Sequence, residues 1–218
     1  MKPLKTELQD AETLRDLGSA SVQIVHDLKN QLNGLKLYAT FLRKRMERAE
    51  RPADEQETLA KLISGLERAA SDMNVLVRFG RTLELRRQPG TDLARLLQES
   101  ADGAQVEADG GPFAGDFDPV LLAEALKNIT TGAFGESGTA SNDGGPQQVR
   151  LSDDGSGAVV EWEGGAAAAD ADGEDPFRSL AGAAGLRMAL AAKIVRAHGG
   201  EVSSEGGRIR ARLPLQER

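Results

Sequence analysis

His26, Asp27 and Asn30 form a candidate reactive group. A neutral imidazole nitrogen is a good nucleophile near neutral pH. The adjacent carboxylate, Asp27, can accept the proton of the other ring nitrogen or hold the reactive tautomer. Asn30 follows one helical turn after His26, which brings its amide within reach of a water or an oxyanion above the ring. His26 stands beside Val25, one position off an apolar stripe, so on a helix its ring reaches water at the edge of the bundle. The second histidine, His198, is far away in sequence and cysteine is absent, which excludes a disulfide framework and a local His/Cys metal cluster.

A long helix must carry these residues. From about residue 8 to 50 there is no proline, and Val25, Leu28, Leu32, Leu35, Ala39, Leu42 and Met46 step alternately by three and four. A second repeat, Leu59, Leu62, Leu66, Ala69, Met73 and Leu76, follows Pro52 and an acidic first turn of Asp54, Glu55 and Glu57. The short break from Glu50 to Ala53 predicts an antiparallel helical hairpin. Two amphipathic helices cannot enclose a core, so the expectation is a homodimer whose hairpins form a four-helix bundle across a twofold axis.

Gln88-Pro89-Gly90 is a turn signal and sets the expected boundary between residues 1–88 and 89–218. Beyond it the pattern predicts a helix at about 91–101, a polar Gly-rich stretch, and a helix from about 118 to 134. After the Gly/Ser/Asn/Asp tract Gly135–Pro146 come strands over Gln147–Ser152 and Ala158–Glu163, joined by Asp153-Asp154-Gly155-Ser156-Gly157, which has hairpin-turn chemistry. A helix at about 183–198, closed by Gly199-Gly200, leads to a last hairpin of Glu201–Ser204 and Arg208–Leu213. The second part therefore reads as α/β with an antiparallel sheet.

Residues 1–90 hold 16 Lys+Arg against 13 Asp+Glu, and residues 91–218 hold 11 against 21, so the second part is strongly acidic. Such a balance disfavours nucleic acid as a partner. No apolar run is long enough to cross a bilayer, and the expected location is the cytoplasm, without membrane contact. The sequence shows no Ser/His/Asp arrangement, metal-ligand spacing or dinucleotide fingerprint.

The run Val25-His26-Asp27-Leu28-Lys29-Asn30-Gln31-Leu32 resembles the phosphoacceptor box of sensor histidine kinases. Near the other end, Ala184-Gly185-Leu186-Arg187-Met188-Ala189-Leu190 and Lys193-Ile194-Val195-Arg196-Ala197-His198-Gly199-Gly200 look like the last glycine box and following helix of the kinase ATP-binding domain. Together the matches span nearly the whole chain. The resemblance implies an α+β fold: a dimerising phosphoacceptor hairpin followed by an α/β sandwich of the ATPase type shared with gyrase. It also implies a phosphate on His26, a receiver-domain aspartate as partner, and phosphatase support from an amide at Asn30. His198 is then a helix-end residue and not a ligand.

Within that resemblance the nucleotide box departs from the family at several places. The asparagine box matches Asp118 to Ala133, keeping Asn128 but replacing the later, magnesium-coordinating asparagine by Gly132, which offers no side-chain oxygen to a hard cation. Asp153 to Gly157 satisfies the adenine-binding pattern literally but precedes the second strand. The box after that strand is Glu163-Gly164-Gly165-Ala166-Ala167, with Glu for Asp and Ala for the last Gly. The three alternate glycines of the final box are Ala183, Gly185 and Arg187, and a side chain as large as arginine obstructs close phosphate approach, although it can also bind phosphate. These departures lead to the expectation that neither ATP nor magnesium binds and that the chain is a histidine phosphotransferase, moving phosphate between His26 and receiver aspartates. The alternatives are an ATP-dependent sensor kinase with a divergent nucleotide site and a non-catalytic dimer that sequesters a receiver. Arg43, Lys44, Arg45 and Arg48 supply basic charge that suits an acidic receiver.

Overall fold

The computed structural model describes residue 25 and residues 28–44, 53–101, 103–135, 147–163, 175–178, 182–205 and 208–216. The chain divides into two compact units, residues 1–82 and 83–218.

In the first unit α1 covers residues 28–44, with Val25 also helical, and α2 runs over Ala53–Gly80. Arg78 lies in the last turn of α2, where a cation complements the negative end of the helix dipole. The Lys36 ammonium stands 2.8 Å from the Glu67 carboxylate, joining the two helices and holding that carboxyl below its ordinary range. An exposed pair of this kind fixes register more than it stabilises. Ala39 and Ile63, one from each helix, are the buried hydrophobic residues among those described in this unit. The stepping leucines remain partly open: Leu28, Leu35, Leu42, Leu62 and Leu76 are between 37% and 53% exposed. One hairpin thus leaves its own apolar stripe unenclosed. Of the expected break from Glu50 to Ala53, residues 50–52 lie outside the described residues and Ala53 is already helical; Met46 also lies outside them.

The second unit runs β1 (Gln88–Asp92), α3 (Leu93–Ser100), β2 (Gln105–Asp109), β3 (Ala114–Phe117), α4 (Pro119–Phe134), β4 (Gln148–Asp153), β5 (Ala158–Glu163), α5 (Gly182–Ala197), β6 (Glu201–Glu205) and β7 (Arg208–Leu213). Five strands form one sheet in the order β2-β4-β5-β7-β6, and β1 pairs with β3 in a separate ribbon. β2 runs parallel to β4 while the other pairings are antiparallel, so the sheet is mixed and the expected antiparallel sheet is corrected on this point.

Three strands were not legible in the pattern. Gln88-Pro89-Gly90 is not a simple turn but the bulged start of β1, where Gly90 at φ 72° and a register shift between Gln88 and Thr91 let the chain pair with β3. β2 shows only one half-buried apolar residue, Val106, because it is an edge strand with most of its side chains in water. β3 has four residues, and Phe117 is its one large apolar side chain.

The helices begin where short acids cap them. Asp92 accepts hydrogen bonds from the backbone N–H groups of Ala94 and Arg95, and Asp118 from those of Val120 and Leu121, with Pro119 at the first helical position. Period-two alternation then sets the two faces of the sheet. Leu151, Trp162, Ile209 and Leu213 are fully buried with Leu122, Leu126, Ile129, Leu190 and Ile194 from the helices. On the opposite face the register lines up Glu107, Arg150, Glu161 and Arg210 across four neighbouring strands, alternating in sign. Arg210 donates from Nε to the Glu161 carboxylate at 2.9 Å within that row.

Candidate functional site

α4 and α5 lie antiparallel. The start of α4 meets the end of α5 where the Asp118 backbone N–H donates to Nε2 of His198 at 3.0 Å. Toward the other ends, Gly132 faces Met188 so closely that a Cβ at 132 would lie 2.3 Å from Sδ and 2.8 Å from Cγ. Just beyond that contact the helices part around a cavity of about 340 Å³, lined by Asn128, Thr131 and Gly132 of α4, by Ala183, Ala184 and Arg187 of α5, and by Gly135. Its size is in the range of small-molecule sites. Among the described residues of this lining, Arg187 carries the charge.

The end of β5 is held beside the same stretch of α4. Trp162 donates its indole N–H to Oγ1 of Thr130 at 2.9 Å, and the Thr130 hydroxyl in turn donates to the Leu126 carbonyl at 2.9 Å. Both residues are buried, so this satisfied network fixes where β5 stops. Glu163, the next residue, lies 4.0 Å from the Arg208 guanidinium of the neighbouring strand.

Asp153 to Gly157 occupies the opposite end of β5, as the turn of the β4–β5 hairpin. Its acids are engaged locally. Asp153 accepts from the Gly155 N–H at 2.9 Å, and Asp154 accepts from the Ser156 N–H at 3.0 Å and pairs with Arg212 at 3.0 Å. Those bonds to Ser156 come first among the causes holding the Asp154 carboxyl below its ordinary value. A larger concavity of about 650 Å³ borders this turn. Its charged lining residue, Asp153, already serves the turn, so the smaller α4–α5 cavity is the better candidate on chemistry.

His198 closes α5 from the inside. Its Nδ1 hydrogen bonds to the Ile194 carbonyl at 2.8 Å while Nε2 accepts from Asp118, an arrangement that requires the neutral ring. Burial pushes its pKa down. Asp118 is opposed by burial, but the N–H groups of Leu121, Arg86 and Val120 outweigh it and keep the carboxyl below the usual range. The segment entering the unit is tied to the same place. The Arg86 N–H donates to Asp118 at 2.8 Å, and Arg87 donates to the carbonyls of Asp116 at 3.2 Å and Ala197 at 3.0 Å.

Of the residues singled out in the sequence, His26 and Asp27 lie outside the described residues, and Asn30 is an exposed residue of α1. Asn128, Gly132 and Arg187 are brought together in one cavity lining. Gly185 is half-buried on α5 without belonging to that lining, Glu163 ends β5, and Gly165 is outside the described residues. Sequence reasoning missed Met188 and the Thr130–Trp162 pair. A lone tryptophan next to the strand-end acid and a threonine at a core position of α4 were the available signals.

No family model matches the chain. In sequence it is 25% identical over 225 residues to the sensor histidine kinase ZraS of Escherichia coli (strain K12), covering 94% of this chain and 46% of ZraS. The chain therefore spans about half the length of that curated relative. In structure it is similar to full-length ShkA in complex with AMPPNP, with a TM-score of 0.63, 18% identity, and coverage of 90% of this chain and 45% of ShkA. It is also similar to the histidine kinase ThkA in complex with the response regulator protein TrrA, with a TM-score of 0.59, 14% identity, and coverage of 98% of this chain and 66% of ThkA. The chain is thus histidine-kinase-like, with the fold of the kinase catalytic domain. None of the described helices is long and apolar enough to cross a membrane.

These findings overturn the expectation that ATP does not bind. ShkA, with the same fold over 90% of this chain, was captured with a nucleotide analogue. The physical reason lies in the cavity: Arg187 stands in its wall without filling it, and Gly132 gives up its side chain to helix packing without closing the space. Position 132 has no side-chain oxygen to offer a metal, and Met188 takes the adjoining volume. Asn128 is the remaining side chain of the lining that matches the family's asparagine box.

Proposed function

We propose that the chain is the phosphoacceptor and catalytic portion of an ATP-dependent histidine kinase with a divergent nucleotide site, acting in two-component signalling. The observation that carries this reading is the open α4–α5 cavity holding Asn128 and Arg187, in a fold that binds a nucleotide analogue in ShkA. ATP occupies the cavity, and an imidazole nitrogen of His26 attacks the γ-phosphorus. The bond from that phosphorus to the β,γ-bridging oxygen breaks and ADP leaves. Asp27 receives the proton of the other ring nitrogen, and Asn30 orients the transferred group. Catalysis is then mostly positioning and charge stabilisation, as phosphoryl transfer requires.

The helical unit supports the two macromolecular partners of this reading. The half-open stripe of Leu28, Leu35, Leu42, Leu62 and Leu76 is an apolar surface of the kind a second copy covers in a four-helix bundle. A second patch points elsewhere: Leu37, Tyr38 and Phe41 are 68%, 69% and 64% exposed. Leu37 and Phe41 fall roughly 160° from Ala39 around the helix, so a bundle seam leaves them uncovered. They follow His26 on the same stripe of sequence, next to the cations Arg43 and Lys44, and suit an acidic receiver docking beside the phosphoacceptor. ThkA, which shares the fold, forms a complex with a response regulator.

Incubating the protein with γ-labelled ATP and resolving it by gel tests the reading. Acid-labile label is expected on the wild type, none on His26→Gln, and chase of the label onto an added receiver domain. A wild type that takes no label from ATP but takes it from a phosphorylated receiver would refute the kinase assignment.

A further inference from the structure

We propose that Thr130 is a positioning residue for the α4–α5 cavity: its hydroxyl, keyed to the Trp162 indole of β5, sets the rotation of α4 and so where Asn128 and Thr131 stand in the cavity wall. The inference rests on the nucleotide reading above and deepens it.

α4 has two working faces. Asn128, Thr131, Gly132 and Gly135 recur at helical spacing and line the cavity. Leu126, Ile129, Thr130 and Ala133 are buried in the interior. Apolar contact is non-directional, so the leucine, isoleucine and alanine let a helix turn slightly on its bed at little cost. A hydrogen bond is less tolerant, because it weakens steeply with distance and angle. Thr130 brings such a directional contact to this face, 2.9 Å from the indole nitrogen of Trp162.

The chemistry of the pair allows one arrangement. The Thr130 hydroxyl spends its hydrogen on the Leu126 carbonyl of its own helix at 2.9 Å, which leaves the oxygen to accept, and an indole N–H can only donate. Both residues are buried, so water does not substitute for either partner. Trp162 belongs to the middle of the sheet, in register with Val149 of β4 on one side and Ile209 of β7 on the other. The sheet is therefore the fixed frame, and α4 is the part that the bond orients. Side-chain tips on a helix lie roughly 5–6 Å from its axis, so a turn of about 10° moves them by about 1 Å. That displacement is enough to break a hydrogen bond between Asn128 or Thr131 and a bound nucleotide.

The test is titration calorimetry of the full chain with ATP for the wild type, Thr130→Val, Thr130→Ser, Trp162→Phe and the double variant Thr130→Val/Trp162→Phe, with urea midpoints of each followed by far-ultraviolet circular dichroism. Loss of one positioned hydrogen bond predicts that Thr130→Val weakens ATP on the order of 10-fold, while Thr130→Ser, which keeps the hydroxyl, stays within about threefold of the wild type. Thr130→Val alone also strands the buried indole N–H and lowers the urea midpoint. Added to Trp162→Phe it strands nothing, so it should cost little further stability, yet ATP should remain about 10-fold weak in the double variant. A role in stability alone predicts that ATP affinity recovers there together with the stability increment. Wild-type ATP affinity in a folded Thr130→Val, or its return in the double variant, overturns the positioning role. A wild type that does not bind ATP overturns the nucleotide reading and this inference with it.

Discussion

Replacing Gly132 by alanine is expected to destabilise the protein, although the same change in most helix interiors stabilises. The added Cβ would lie 2.3 Å from Sδ and 2.8 Å from Cγ of Met188. Comfortable carbon and sulfur contacts need roughly 3.5–4.0 Å, so one group must retreat by about 1 Å or more. Met188 is 3% exposed, so its side chain must repack within the interior to make way. Overpacking of this kind costs about 1–3 kcal/mol, against a helix-propensity gain of about 1 kcal/mol for alanine over glycine. The net expectation is a loss of about 1 kcal/mol. Met188→Ala removes the obstacle, so Gly132→Ala introduced into that variant should instead gain about 1 kcal/mol. Urea unfolding followed by Trp162 fluorescence measures all four corners of the cycle. The sign reversal is the critical result. If Gly132→Ala has the same sign in both backgrounds, close approach of α4 and α5 is not what glycine provides here.

Two further expectations follow from groups already described. His198 is held neutral by burial, below its ordinary value of 6.5, so the unfolded chain takes up a proton at that site before the folded one does. Stability should therefore be full above about pH 6.5 and decline as pH falls below it, with Asp118 and Asp116 favouring the charged ring and Arg87 opposing it. Urea midpoints between pH 7.5 and 5.5 should fall more steeply for the wild type than for His198→Gln, and parallel profiles would count against the assignment. In the helical unit, Leu35→Asp removes an apolar contact from both copies of the proposed seam at about 1.5–3 kcal/mol each, which weakens the dimer roughly 100-fold or more. Sedimentation velocity should show the wild type as a dimer and the variant shifted to monomer, whereas a monomeric wild type would rule the seam out.

What the sequence disclosed depended on how local the determining physics was. Asp118-Pro119 marks the start of α4 because capping and a fixed φ act within one turn. β4 and β7 were readable because buried and open positions alternate along them, and β5 because it opens on a short buried apolar run. β2 was not, because an edge strand facing water on most of its length carries almost no apolar signal. At the site, Gly132 and Arg187 were legible as departures but not as neighbours. Read singly, each looks like a loss. Only the packing of α4 on α5 shows that they share a wall and that a cavity survives between them. Met188 carried no signal at all, since its role is defined by a residue on another helix.

The fastening of Arg86 and Arg87 has a mechanical corollary. These two residues grip Asp116, Asp118 and Ala197, at the start of α4 and the end of α5, while the cavity opens near the opposite ends of the same helices. Each helix has 16 residues and works as a stiff rod about 24 Å long. A tug on the incoming chain is thus felt at the tail of both rods at once, and the gap at their heads can stay unaltered only if the rods bend or slip on one another.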